Sequence, residues 1–192
     1  MGCTTGISAD LINDCDTQTP VAGLEVKAWA LNRTDISTIT YDGSNGNEVS
    51  AITMLSTKQA WVLQGFKKSQ NAGHDIVVAE DIPSRYKQFF SFKPWGVDAD
   101  VVEDLDDLED LVIIVENKNK GISGDGAFEI YGLETGLYKS ADTRRSNDNN
   151  AIQSIEMTTQ DGEDSTVSRH VFFDTDYATS LAALVALETP AV

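Results

Sequence analysis

The chain has 192 residues, with 31 acidic against 14 basic side chains and a formal net charge of −17. That balance argues against binding nucleic acid, which rests on Lys and Arg neutralising phosphates, and against an anionic membrane surface as partner. The length is enough for one domain with a substantial core.

Residues 1–22 are polar and weakly patterned, with Asp10, Asp14 and Asp16 and a stop at Pro20. They read as an extended N-terminal arm, and residues 23–192 as a single β domain. The start MGCTTGISADL lacks the basic and apolar regions of a secretory signal. No run approaches the ~20 apolar residues of a membrane span. Cys3 and Cys15 are expected to be reduced. The C-x-x-C and H-x-x-x-H spacings of a zinc site are missing, so no metal is expected.

GLEVKAWALN alternates, with Leu24, Val26, Ala28 and Ala30 on one face and Glu25, Lys27 and Trp29 on the other. Period two predicts a strand with one buried side. TDISTITYDG follows, and Asp42 to Glu48 is a loop by its Gly and Asn content. VSAITML and QAWVLQGF, joined by Ser56, Thr57 and Lys58, predict a β-hairpin. HDIVVAE predicts a short strand, with Asn71-Ala72-Gly73 as the turn before it. YKQFFSFK predicts another, with Phe90 and Phe92 on one face and Phe89 on the opposite one.

The period then changes. Val97, Val101, Leu105, Leu108 and Leu111 recur at spacings of three and four, predicting an amphipathic helix over Asp98 to Leu111. Asp98 is the expected N-cap. Eight carboxylates crowd the segment: Asp98, Asp100, Glu103, Asp104, Asp106, Asp107, Glu109 and Asp110. They read as a solvated outer face. The central Gly and Asx spacing of an EF-hand loop are absent.

Beyond it come VIIVENKN, the glycine loop Gly121 to Gly126, AFEIYGLETGLY, a polar loop over Ser140 to Asn150, AIQSIEMTT and VSRHVFFD. A closing helix is predicted over Asp176 to Leu187, capped by Asp174 or Thr175. Its expected buried stripe is Ala178, Leu181, Leu184, Val185 and Leu187, and Pro190 stops it. The sum is a mainly β chain: a sandwich or barrel of about nine strands with two helices, at about 98–111 and 176–187.

No chemistry stands out. The glycine loop joins strand to strand, so it lacks the helix N-terminus of a phosphate cradle and reads as a hairpin turn. His74 and His170, the only imidazoles, read as satisfied structural histidines. No G-x-S-x-G elbow exists. Glu129 and Glu134 could do acid–base work only if the fold set them in a cleft. Arg144 and Arg145 could meet acidic groups on a partner. No catalytic, cofactor-binding or metal-binding residue is assigned, and no enzymatic activity is expected.

The segment TTGISADLINDCDTQTPVAGLEVKAWALNRTDI resembles the start of tail proteins from phages and prophages of Bacteroidetes bacteria. The shared features are Gly6-Ile7, Cys15-Asp16, Pro20, Gly23, the strand Leu24 to Leu31, and Asn32 to Ile36. VIIVENKNKG, AFEIYGLETGLY and FFDTDYATSLAALVAL are similar to the same group. The resemblance implies a tail tube (major tail) protein of the virion, made in the bacterial host cytoplasm. Its copies would form hexameric rings that stack through the arm and polar loops and meet other tail proteins. Genomic DNA would pass along an acidic lumen without specific binding, and no membrane is involved. The helix at 98–111 is expected outside the tube, with lumen acid supplied by alternate outward strand positions. Alternatives are a capsid decoration protein, a head-tail connector, or the inner tube of a contractile injection system.

Overall fold

The structure, a computed structural model, describes residues 21–78, 83–95, 98–121, 123–148 and 151–191. The arm expected over residues 1–22 lies almost wholly outside the described residues. The chain is mainly β, as expected, with eleven strands where about nine were predicted. They are β1 (Leu24–Asn32), β2 (Ile36–Tyr41), β3 (Glu48–Met54), β4 (Trp61–Gln64), β5 (Asn71–Val77) and β6 (Arg85–Phe92), then β7 (Leu111–Asn117), β8 (Phe128–Tyr131), β9 (Tyr138–Thr143), β10 (Ser154–Thr158) and β11 (His170–Phe172). Two helices, α1 (Ala99–Asp106) and α2 (Tyr177–Ala186), complete the fold.

The strands form a seven-stranded sheet, β2-β3-β11-β8-β7-β1-β4, and a four-stranded sheet, β5-β6-β10-β9. Laid flat, the five steps from β2 to β1 would span roughly 24 Å at the usual strand spacing. Yet only the 3-10 turn Arg33–Asp35 joins those strands, and the step from Asn32 to Ile36 reaches at most about 14 Å. The large sheet must therefore curl towards a half-barrel.

Both faces of its central strands are buried. On one, Trp29, Leu31, Val112, Ile114, Phe128, Ile130 and Phe172 pack with Leu184, Tyr177, Leu181 and Leu187 of the α2 region. On the other, Ala28, Ala30, Ile113 and Val115 meet Phe90, Phe92, Ile155 and Met157 of the small sheet, with Leu105 and Leu108 beside them. This corrects the expectation of one buried side on β1. Its alternation is real, but Ala28 and Trp29 are equally sealed, because a sheet covers one face and a helix the other.

The predicted hairpin of VSAITML with QAWVLQGF does not form. β3 pairs with β2 and β11, while β4 pairs with β1 at the far edge. The short link is a crossing held by the C-terminal segment: Thr57 N donates to Ala191 O and Ala60 N to Leu187 O. The turn predicted at Asn71-Ala72-Gly73 is the start of β5 instead. Gly73 is needed there because the Phe89 ring across the ladder would lie 2.9 Å from any Cβ. Of the predicted polar loop, Ser140 to Thr143 belong to β9. β6 follows its prediction, with Phe90 and Phe92 buried on one face.

The first helix is shorter than 98–111. It ends at Asp106, and the chain reverses over the next turn, with Asp110 in the left-handed region at φ 49°. Leu111 then begins β7, its N–H donating to Leu137 O. The helical spacing persists to Leu111 because Leu105, Leu108 and Leu111 all pack in one cluster. Asp98 stands at the N-cap but makes no side-chain cap bond. α2 is capped by Asp176, not Asp174 or Thr175: its carboxylate accepts from Thr179 N at 2.7 Å. Its packed stripe also differs. Ala178 and Val185 are exposed, whereas Tyr177, Ser180 and Ala183 face inward with Leu181, Leu184 and Leu187.

Candidate functional site

The residues singled out by sequence do not converge. The glycine loop closes the β7–β8 hairpin, as predicted, with Ala127 N donating to Gly124 O. Glu129 accepts from the Tyr131 hydroxyl at 2.8 Å and pairs with Arg169 at 3.0 Å. Burial, then the Glu129 charge, push the Tyr131 phenol far above its ordinary value. Glu134 sits in a separate network, accepting from Ser165 Oγ, Thr166 N and Thr166 Oγ1 at 2.9, 2.6 and 2.6 Å. Burial pushes its carboxyl up, but those hydrogen bonds outweigh burial and hold it below the usual carboxylate range. Each carboxylate is occupied by its own donors, which leaves no shared proton-transfer geometry.

His170 is 4% exposed and lies 5.8 Å from the Tyr41 ring. Burial lowers its pKa, and Glu134 offsets only part of that. His74 packs edge-on against Tyr86 at 5.5 Å. The expectation that both are satisfied needs correction: among the described residues, the Nδ1 atom of each is buried without a hydrogen-bond partner. Arg144 donates to Ala151 O at 3.2 Å, and Arg145 stands 3.7 Å from Asp148. Among the described residues, no three His, Cys, Asp or Glu side chains group as metal ligands.

What the fold does assemble is surface. α1 and the turn after it carry all eight expected carboxylates and no base. Two are paired, Asp106 with Lys139 and Asp110 with Arg33; the others have no ion pair among the described residues. The outward face of the four-stranded sheet is instead balanced: Asp75 and Glu156 stand among Arg85 and Lys87, with Asp75 directly opposite Lys87. Of these two surfaces, α1 is the strongly acidic one.

Two features escaped the sequence reading. The first is a cationic, aromatic protrusion after β4. Trp95, 69% exposed, stacks on Phe66 at 4.2 Å and 23°. Phe66 N donates to Lys93 O, which draws Lys93 beside the turn holding Lys67 and Lys68. These three lysines are exposed and have no ion pair among the described residues. Their signal was the repeated aromatic–lysine runs F-K-K and F-K-P-W, which lie far apart in sequence.

The second is a groove of about 350 Å³ between β4 and α1. Leu63, Leu108 and Leu111 line it with Asp104, Asp107 and the exposed Trp61. Sheet edges add to this surface. Among the described residues β5 and β9 are the unpaired edges of the small sheet, and Ile76, Val77 and Val78 lie exposed along the β5 side. No described helix is long and apolar enough to cross a membrane. No family model, curated protein or solved structure matches the chain.

Proposed function

We propose that this chain is a structural virion protein, the repeating subunit of a phage tail tube built from stacked hexameric rings. The observation that carries the reading is the small sheet with its two open edges. β5, β6, β10 and β9 alternate in direction, so β9 of one copy and β5 of the next are antiparallel. Copies placed side by side can continue one antiparallel ladder, and a closed ring leaves neither edge of the small sheet exposed. The apolar row Ile76 to Val78 is a hazard on a lone monomer and an asset at such a junction.

The charge supports the same reading. A wall that DNA passes must not hold it, and a strong negative field from each copy repels a polyanion. A basic lining would bind DNA by counterion release. Sedimentation velocity and a duplex-DNA gel shift test the proposal together. Concentration-dependent closed oligomers that leave DNA unshifted at ~0.15 M salt are expected. A monomer that never associates, or a retained duplex, would refute it.

A further inference from the structure

We infer that one copy recognises the next by seating the lysine-flanked Phe66–Trp95 pair in the acid-rimmed groove between β4 and α1. This inference rests on the self-assembly proposed above and names the contact that drives it.

The two surfaces match in apolar character and in charge. The protrusion presents an indole with one face on Phe66 and most of its area in solvent. Around it stand Lys67, Lys68 and Lys93, three cations without ion pairs among the described residues in a chain of net charge −17. The groove offers the reverse: an apolar floor of Leu63, Leu108 and Leu111 beneath Asp104 and Asp107. Exposed aromatic side chains flanked by cations anchor interfaces when their apolar area enters a dry pocket and their charges meet opposite charges at the rim.

The pair is not seated in its own chain's groove: neither Phe66 nor Trp95 lines it, and Trp95 stays 69% exposed. Two different surfaces of one chain that bind each other between copies make a head-to-tail contact, which repeats from copy to copy and generates rings or open stacks.

The experiment is association of the full chain, read by sedimentation velocity over a concentration series, with circular dichroism to show that each variant is folded. Trp95→Ala should weaken association by about 30-fold or more, the effect of losing a buried anchor. The double reversal K67E with K68E should abolish it, as should D104K with D107K. Combining all four reversals in one chain, or mixing the two double variants, should restore it. Folded variants that associate like the native chain would overturn this contact while leaving self-assembly intact. Failure of the four-fold reversal to restore association would also overturn it. A native chain that stays monomeric at every concentration would remove the self-assembly reading itself.

Discussion

The two helices pack on opposite faces of the large sheet and do opposite work. α2 lies over the large sheet as part of the core. Leu184 is fully buried, and the Tyr177 ring lies parallel to Phe128 at 5.6 Å. Polar pegs fix both of its ends. Tyr177 donates to Glu116 at 2.7 Å, with Lys120 over the ring, and Glu188 beyond the C-terminus accepts from Trp29 Nε1 and pairs with Lys27. α1 buries Leu105, rests Val101 on the same cluster, and turns its carboxylates to solvent. A helix whose far side needs only water can carry almost any charge, whereas a helix seated on a curled sheet must match it side chain by side chain.

Large-to-small changes should break that contrast most sharply. Leu184→Ala should cost about 3–5 kcal/mol, since the surrounding strands cannot collapse into the hole. Leu105→Ala, at the margin of its cluster, should cost about 2 kcal/mol. Urea unfolding of the two variants checks the order, and equal losses would refute the core-versus-cover distinction.

Next is Tyr177→Phe, which keeps the ring stack but removes the hydroxyl shared by Glu116 and Lys120. Glu116 is buried, so its lost donor should cost about 1–2 kcal/mol. No exposed carboxylate of α1 should show a comparable loss when replaced by its amide.

A smaller effect concerns pH. Burial depresses the folded pKa of His170, and the charged or titratable neighbours facing it are Glu134 and Tyr41. The unfolded chain takes up a proton near pH 6.5 that the folded chain refuses until lower pH. Stability due to this group is therefore complete above that value and falls as pH drops below it. Glu134, held low by its hydrogen bonds, loses its contribution only in the more acidic carboxylate range. Melting curves at pH 7 and pH 5.5 should diverge for the native chain and converge for His170→Gln.

The smallest effect separates the helix caps. Asp176→Ala should lower the melting temperature, because its carboxylate accepts from Thr179 N. Asp98→Ala should leave it unchanged, since Asp98 makes no such bond.

Much of this was legible in sequence where local pattern and tertiary burial agree. The alternation of Phe90 and Phe92 against Phe89 marked the buried face of β6, and GISGDG between two apolar runs marked the β7–β8 hairpin. Partner choice was not legible. Ser56 to Lys58 is short enough for a hairpin, yet β4 crosses to β1, and the C-terminal residues that hold that crossing lie over a hundred positions away. Nor could spacing reveal where α1 ends, because Leu111 keeps the helical period while already in β7. The runs F-K-K and F-K-P-W stood in the sequence, but not their meeting, and the acid-rimmed groove was hidden likewise. In each case β5 and β6 lie between the joined segments, and only the fold brings them together.

The most direct test of the proposed account is a negative-stain micrograph of the purified full chain at high concentration. Rings with a central opening, and stacks of such rings as concentration rises, are the expected result. A field of separate single-domain particles, with no rings at any concentration, would contradict it.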